Sequence, residues 1–317
     1  FSGFFFFSYP PPPPPAPPPP RRAGSIGGCL KRTATEGERK LNATAEPWVG
    51  KELPEKGFVV RPGLIDDYFE GLELDRASFD SGATPVPSMI ATDADNYFGE
   101  TAYSQQKGHL WMRQQWSFAS PLTAGGEYTT RGHIEDIYRK RDRTVVNTAF
   151  TVVDAAGDEV LSANHHQSFL LDAPVDEVAF RKPEQKAGAR KFVVPEGDEI
   201  PGFERSITLE MCGQYFHGSK NYHTDLAASK ELGFRDVVVG GRMTMAYIGH
   251  LLDGYFGERW FASGSMDVKF TNPCWPGDVI RMRGVSSGEA DGRENVFAWI
   301  EKEDGTIVLI TQASAAA

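Results

Sequence analysis

The sequence predicts an α+β protein made of two tandem copies of one unit, each an antiparallel sheet wrapped around a helix, with the first copy degenerate. Three observations predict it. Landmarks recur at a constant offset, apolar and polar residues alternate with period two around those landmarks, and the clearest helical apolar pattern lies in the second copy.

The repeat has an offset of 152 residues. Phe118-Ala-Ser-Pro121-Leu-Thr-Ala-Gly125 matches Phe270-Thr-Asn-Pro273-Cys-Trp-Pro-Gly277, and Arg131-Gly132 falls on Arg283-Gly284 without a gap. After a short length difference, the Asp154 to Val160 stretch resembles that around Asp304-Gly305, a dipeptide that favours two-residue hairpin turns. Alternating runs at 134–138, 145–153 and 160–171 then answer to runs at 268–271, 279–285, 296–300 and 307–311. In each copy the Pro-x-x-x-Gly unit separates two strands, because proline cannot donate to a ladder and glycine supplies the turn.

Helical signal in the second copy is confined to its start. Thr224 or Asp225 can cap a short helix over 226–232, which Gly233 stops. A longer helix is expected over 241–254, where Met243, Tyr247, Ile248, Leu251 and Leu252 form an apolar face. The first copy offers only a weaker candidate at 94–103, interrupted by Asp95, Asn96 and Glu100.

The expected organisation is a proline-rich, disordered extension over 1–50, a degenerate N-terminal domain over 51–175, a linker over 176–202 and a C-terminal domain over 203–317. Prolines at 10–15 and 17–20 favour extended polyproline II, which packs no core, and the segment reads as a transit remnant or mistranslated upstream sequence. A net charge of −10 disfavours a polyanion partner, so nucleic acid is not expected. Cys29, Cys212 and Cys274 lie far apart, suggesting neither a metal site nor a disulfide framework. No apolar run approaches the ~20 residues that span a bilayer, so no membrane partner is expected. The expected location is the cytoplasm, with an organellar matrix also compatible.

The stretch Tyr215-Phe-His217-Gly218-Ser219-Lys-Asn221-Tyr-His223-Thr-Asp225, then Leu232-Gly-Phe, then Val239-Gly240-Gly241-Arg-Met243, and later Phe270-x-x-Pro-x-x-x-Gly-Asp278, resembles the MaoC-like, (R)-specific enoyl-CoA hydratases. Their pattern is Asp-x-Asn-Pro-x-His, followed after a short helix and a Gly-Phe by a glycine that opens the central helix. The resemblance implies a double hot-dog fold with an acyl pocket widened by the degenerate half, an acyl-CoA thioester as substrate, no cofactor and no metal. A homodimer is compatible with it. Family membership implies that Asp and His hold the water added to C3 of a trans-2-enoyl thioester, while the glycine N–H polarises the thioester carbonyl.

His223 and Gly241 match the family histidine and glycine. The aspartate is missing: counted without gaps its place is Gly218, and with the proline treated as a deletion it is Ser219, with Asn221 as the asparagine. The candidate catalytic set is therefore His223 as acid-base group, Gly241 as oxyanion donor, and Asn221 and Ser219 positioning water. Asp225 could orient the imidazole but reads rather as a helix cap, and His217 could serve as a second polar group but reads rather as a solvated loop residue.

Other patterns weigh less. Gly284-Val-Ser286-Ser-Gly288 has the Gly-x-Ser-x-Gly spacing but no following helix to build a nucleophile elbow. His165 and His166 are strand neighbours and face opposite sides. The basic run 139–143 reads as a charged turn. The favoured function is reversible hydration of a branched or otherwise non-standard enoyl-CoA. The rivals are a non-catalytic acyl-thioester-binding module and a hot-dog thioesterase, the latter needing a carboxylate on the central helix where only Asp253 is available.

Overall fold

In the computed structural model the described residues are 46–76, 86–172 and 192–317, all within one compact unit, Thr44–Ala317. The first repeat forms β1 (Lys56–Val59), α1 (Pro62–Leu72), a 3-10 helix at Ser88–Asp93, the single turn α2 (Phe98–Thr101), then β2 (Leu110–Phe118), β3 (Glu127–Lys140), β4 (Arg143–Val153) and β5 (Glu159–Phe169). The second forms β6 (Asp198–Ser206), α3 (Leu209–Tyr215), α4 (Leu226–Glu231), α5 (Gly241–Phe256), α6 (Glu258–Ser263), β7 (Ser265–Phe270), β8 (Val279–Ala290), β9 (Arg293–Lys302) and β10 (Ile307–Ala316).

All ten strands join one antiparallel sheet in the order β1-β3-β4-β5-β2-β7-β10-β9-β8-β6. The order reads the same from both edges once one repeat is laid on the other, and the β2·β7 pair is the seam. This is a double hot-dog arrangement. Phe118 ends β2 opposite Leu161, and Phe270 ends β7 opposite Leu309. The turns that follow also match: Ala119 and Ser120 donate to the Val160 carbonyl as Thr271 and Asn272 donate to that of Val308. Gly125 and Gly277 both take positive φ, 76° and 96°, and donate to Val60 and Ile207. The Pro-x-x-x-Gly unit thus needs glycine for a left-handed turn in each copy.

Two expectations need correction. Strand β6 begins at Asp198, inside the segment expected to be linker; the rest of that segment up to residue 191, like residues 1–45, lies outside the described residues. Pro201 and Gly202 fall in the expected linker, yet β6 is an edge strand with an irregularity between Ile200 and Phe203, a place where a sheet accepts proline. The weak helix expected over 94–103 is only the single turn α2, and the counterpart of the central helix is the short 3-10 helix that starts at Ser88. Val86 N–H bonds the Leu122 carbonyl just as Val239 N–H bonds that of Cys274, so Ser88–Asp93 stands where α5 begins in the second repeat.

Helices α1 and α3, not anticipated, also correspond and pack closely: a Cβ on Gly71 would lie 2.5 Å from the Tyr215 backbone nitrogen. The α1 start has Pro62 at its first turn, and α3 is capped by Thr208, whose hydroxyl accepts from Met211 N–H at 3.1 Å. Helix α5 is buried on every side from Met243 to Ile248, because the sheet curls over one face and the 3-10 helix presses on another. At that crossing a Cβ on Gly249 would fall 2.2 Å from Met89 Cγ, so only glycine fits. No described helix is long and apolar enough to cross a membrane.

Asp253, near the end of α5, accepts the Ser88 N–H on Oδ2 at 3.2 Å, while Oδ1 has no partner among the described residues. Burial pushes its carboxyl up to about 7, with Ser88 pulling weakly the other way. A folded-state value above the ordinary one means the neutral acid favours the fold, and that stability is lost as pH rises through 7. Asp253→Asn should leave the melting temperature nearly unchanged near pH 4 and raise it near pH 8, by up to about 4 kcal/mol in unfolding free energy. Thermal unfolding from pH 4 to 8 checks this, and a pH-independent difference between the two proteins would refute it.

Candidate active site

The loop from α3 to α4 carries the candidate residues. It starts with two left-handed positions, His217 (φ 57°) and Gly218 (φ 66°), that turn the chain out of α3. Asn221 then closes it: its Oδ1 accepts from His223 N–H at 2.8 Å, and its Nδ2 donates to Ser219 Oγ at 3.0 Å. The Ser219 hydroxyl donates to the Phe216 carbonyl at 2.7 Å. Asp225 caps α4 by accepting from Ala228 N–H at 2.9 Å.

This folding leaves the His223 side chain half-buried. It stacks on Phe216 at 4.8 Å and 15° and lies 3.8 Å, centroid to centroid, from Tyr222. Its Nδ1 is 2.7 Å from the Val238 carbonyl oxygen. A carbonyl only accepts, so Nδ1 carries the proton and Nε2 holds a lone pair; Nε2 has no hydrogen-bond partner among the described residues. Burial lowers the ring to about 4; the Val238 bond opposes this, and His109 and Arg242 reinforce it. His223 is therefore neutral at physiological pH.

Val238 is three residues before Gly241, the first residue of α5. The first N–H groups of this 16-residue helix have no intrahelical acceptor and sit at the positive end of its dipole. Space beside them is scarce. A Cβ on Gly241 would lie 3.0 Å from Trp111 and 3.3 Å from Phe270, and one on Gly240 only 2.3 Å from Phe216. Close packing thus leaves no room for a side chain at Gly240 and little at Gly241.

Arg242 puts a cation at the helix end that least favours one. Acidic and carbonyl groups of the first repeat compensate: Asp93 meets its Nη1 at 3.0 Å, Asp95 O its Nη2 at 3.1 Å, and the Thr92 carbonyl also accepts from it. Asp95 also binds His165 Nδ1 at 2.6 Å, and Trp111 stacks on that imidazole at 4.5 Å and 9°. His166, facing the other way, meets Tyr138 at 3.1 Å.

His217 is exposed, as expected, but it is also ion-paired. Its Nδ1 pairs with Asp67 of α1 at 2.5 Å, and its Nε2 faces Asp93 at 3.8 Å. Asp93 above all, then Asp67, holds it protonated up to about 9 against the opposing effect of burial. The loop is thereby fastened to the first repeat.

Among the expected residues, His223 and Gly241 are brought to the same helix entrance through Val238, whereas Asn221 and Ser219 are joined to each other and to the loop backbone. Arg242, Asp93, Asp95, Trp111 and His109 were missed, and the ion pairs of His217 were not foreseen. A readable signal existed for Arg242, since a cation in the first turn of a helix calls for nearby acids. For His109, whose Nε2 meets the Tyr222 hydroxyl at 3.2 Å across 113 residues, sequence offers none. The Gly284 to Gly288 stretch lies in β8, with no helix after it.

The raised His217 value gives a pH test. Its ion pairs contribute fully below the ordinary histidine value near 6.5 and are lost as pH rises through about 9. Wild-type protein should lose melting temperature between these values more steeply than His217→Gln. Parallel pH curves for the two proteins would show that the imidazolium adds no stability.

No curated protein matches the chain in sequence. The family profile of the MaoC like domain matches residues 213–305. Among solved structures, a MaoC-like dehydratase from Phytophthora capsici is similar at 16% identity and TM-score 0.64, covering 84% of this chain and 96% of its own. Full-length peroxisomal multifunctional enzyme type 2 from Drosophila melanogaster is similar at 17% identity and TM-score 0.62, over 83% of this chain and 48% of that one. A conserved hypothetical protein from Mycobacterium tuberculosis with a double hotdog fold gives 14% identity and TM-score 0.55, over 85% and 96%. Residues 213–305 thus match the MaoC like domain, within a chain that has a double hot-dog fold.

Proposed function

We propose that the protein is an acyl-CoA hydro-lyase that adds water reversibly across the double bond of a trans-2-enoyl thioester. The observation that carries this reading is the Val238 bond, which presents a neutral His223 with a free Nε2 beside the N-terminus of α5. In the hydration direction Nε2 takes a proton from water as its oxygen bonds to C3. Negative charge moves through C2 to the thioester oxygen, where the Gly241 N–H receives it. The imidazolium then returns the proton to C2, so one water is added and nothing is oxidised or reduced.

Asn221 and Ser219 act one step back, by shaping the loop that holds His223. The lost family aspartate is not replaced by either of them. Asp253 is an unsuitable thioesterase carboxylate, since it faces Ser88 near the opposite end of α5. Its position supports the hydratase reading over that rival.

A panel of straight, branched and oxygenated enoyl-CoA and 3-hydroxyacyl-CoA esters, followed by absorbance of the conjugated thioester, tests the activity. His223→Ala should lower kcat by ~100-fold or more while substrate binding survives. Binding by wild-type protein without turnover of any ester would replace the hydratase reading with that of a binding module. Because His223 is lowered to about 4, the base limb of kcat/KM should fall near pH 4 instead of 6.5. Gly241→Ala, which asks Trp111 to give by tenths of an ångström, should cost turnover more than stability, and equal loss of both would reduce the glycine to a packing role.

A further inference from the structure

The seam strand β2 carries a buried polar side chain that the fold does not use. Gln114 is fully buried, and neither its Nε2 nor its Oε1 has a partner among the described residues. Two residues on, along the same face, Trp116 Nε1 is also buried and unpartnered. Register places Gln114 on the inner side of the sheet: it pairs with His165 on β5 and with the fully buried Val268 on β7. A buried amide left without partners costs about 1–3 kcal/mol, so such groups call for an occupant or a reason.

The repeat supplies an internal control. With Phe118 on Phe270, Gln114 falls on Met266, and the pair Gln114 with Val268 maps onto the pair Met266 with Trp116. Met266 is buried and apolar. The core at this position is therefore satisfied in the second copy by an apolar thioether side chain of the same length, so the fold itself does not require an amide there.

The position relates directly to the candidate site. Phe270, which abuts Gly241, lies two residues from Val268 on the same face, a spacing of about 6.8 Å along a strand. Trp111, the other neighbour of Gly241, stacks on His165, the register partner of Gln114. An acyl chain whose thioester sits at Gly241 and which runs inward along the seam meets Gln114 after the reacting carbons.

We infer that Gln114, flanked by the Trp116 indole N–H, is a specificity site for an oxygen function, hydroxyl or carbonyl, carried on the acyl chain beyond C3. The amide offers one donor set and one acceptor, which together suit a hydroxyl, and the indole adds a donor that suits a carbonyl. The inference rests on the reading of Gly241 as the thioester end of the site.

The test compares equilibrium binding of hexanoyl-CoA with that of its terminal-hydroxy and terminal-carboxy analogues, on wild type and Gln114→Met. Wild type should prefer an oxygenated chain by about tenfold or more, the size of one well-made buried hydrogen bond. Gln114→Met, which copies the second repeat, should abolish that preference and raise the melting temperature. Equal binding of all three esters, no binding of any, or a variant that melts lower and weakens all three alike would overturn the assignment. Turnover of the straight, branched and oxygenated enoyl-CoA panel is read separately. Preference without turnover of any ester leaves the specificity site standing and removes only the hydratase reading, whereas turnover without preference does the reverse.

Discussion

The hydrogen bond from His223 Nδ1 to the Val238 carbonyl, 2.7 Å long, is the contact on which the functional account depends. It joins the loop after α3 to the segment that leads into α5, and so brings a side chain and a helix terminus from different parts of the sequence to one place. It also decides chemistry. By claiming the Nδ1 proton it leaves Nε2 basic, and the surrounding Phe216 and Tyr222 rings keep the imidazole uncharged.

The second constraint is that the two repeats are unequal partners in one sheet. The β2·β7 seam makes their strands continuous, yet the first repeat has lost most of its central helix and uses what remains to serve the second. Thr92, Asp93 and Asp95 receive Arg242, and Asp67 and Asp93 face His217. Both ends of the candidate site, the histidine loop and the α5 terminus, are thereby anchored to the degenerate half. The cation beside Gly241 is tolerated because acids from that half offset it.

Much of this was legible in the sequence. The offset from Phe118 to Phe270 located equivalent strand ends, and the alternation found β3, β4, β5 and β8 to β10, because half-buried strands leave a period-two trace. Helix α5 was placed within two residues at its end, and Asp225 was correctly read as a cap. Helices α1 and α3 and strand β6 were not found. Pro62-Gly63 and Pro201-Gly202 look like turns when they open a helix and sit on a sheet edge. In the site, His223 and Gly241 were visible through local spacing, whereas Asp67, Asp93 and His109 arrive through tertiary contacts that no local pattern encodes.

The central claim is that His223 is a neutral base with its proton on Nδ1. Selective ¹⁵N labelling of histidine and observation of the ring nitrogens across pH 5 to 8, with assignment by His223→Gln, reads the tautomer and the titration together. The account predicts a protonated Nδ1, an unprotonated Nε2 and no titration in that window, consistent with a value lowered to about 4. A proton on Nε2, or a midpoint near the ordinary histidine value of 6.5, would contradict it.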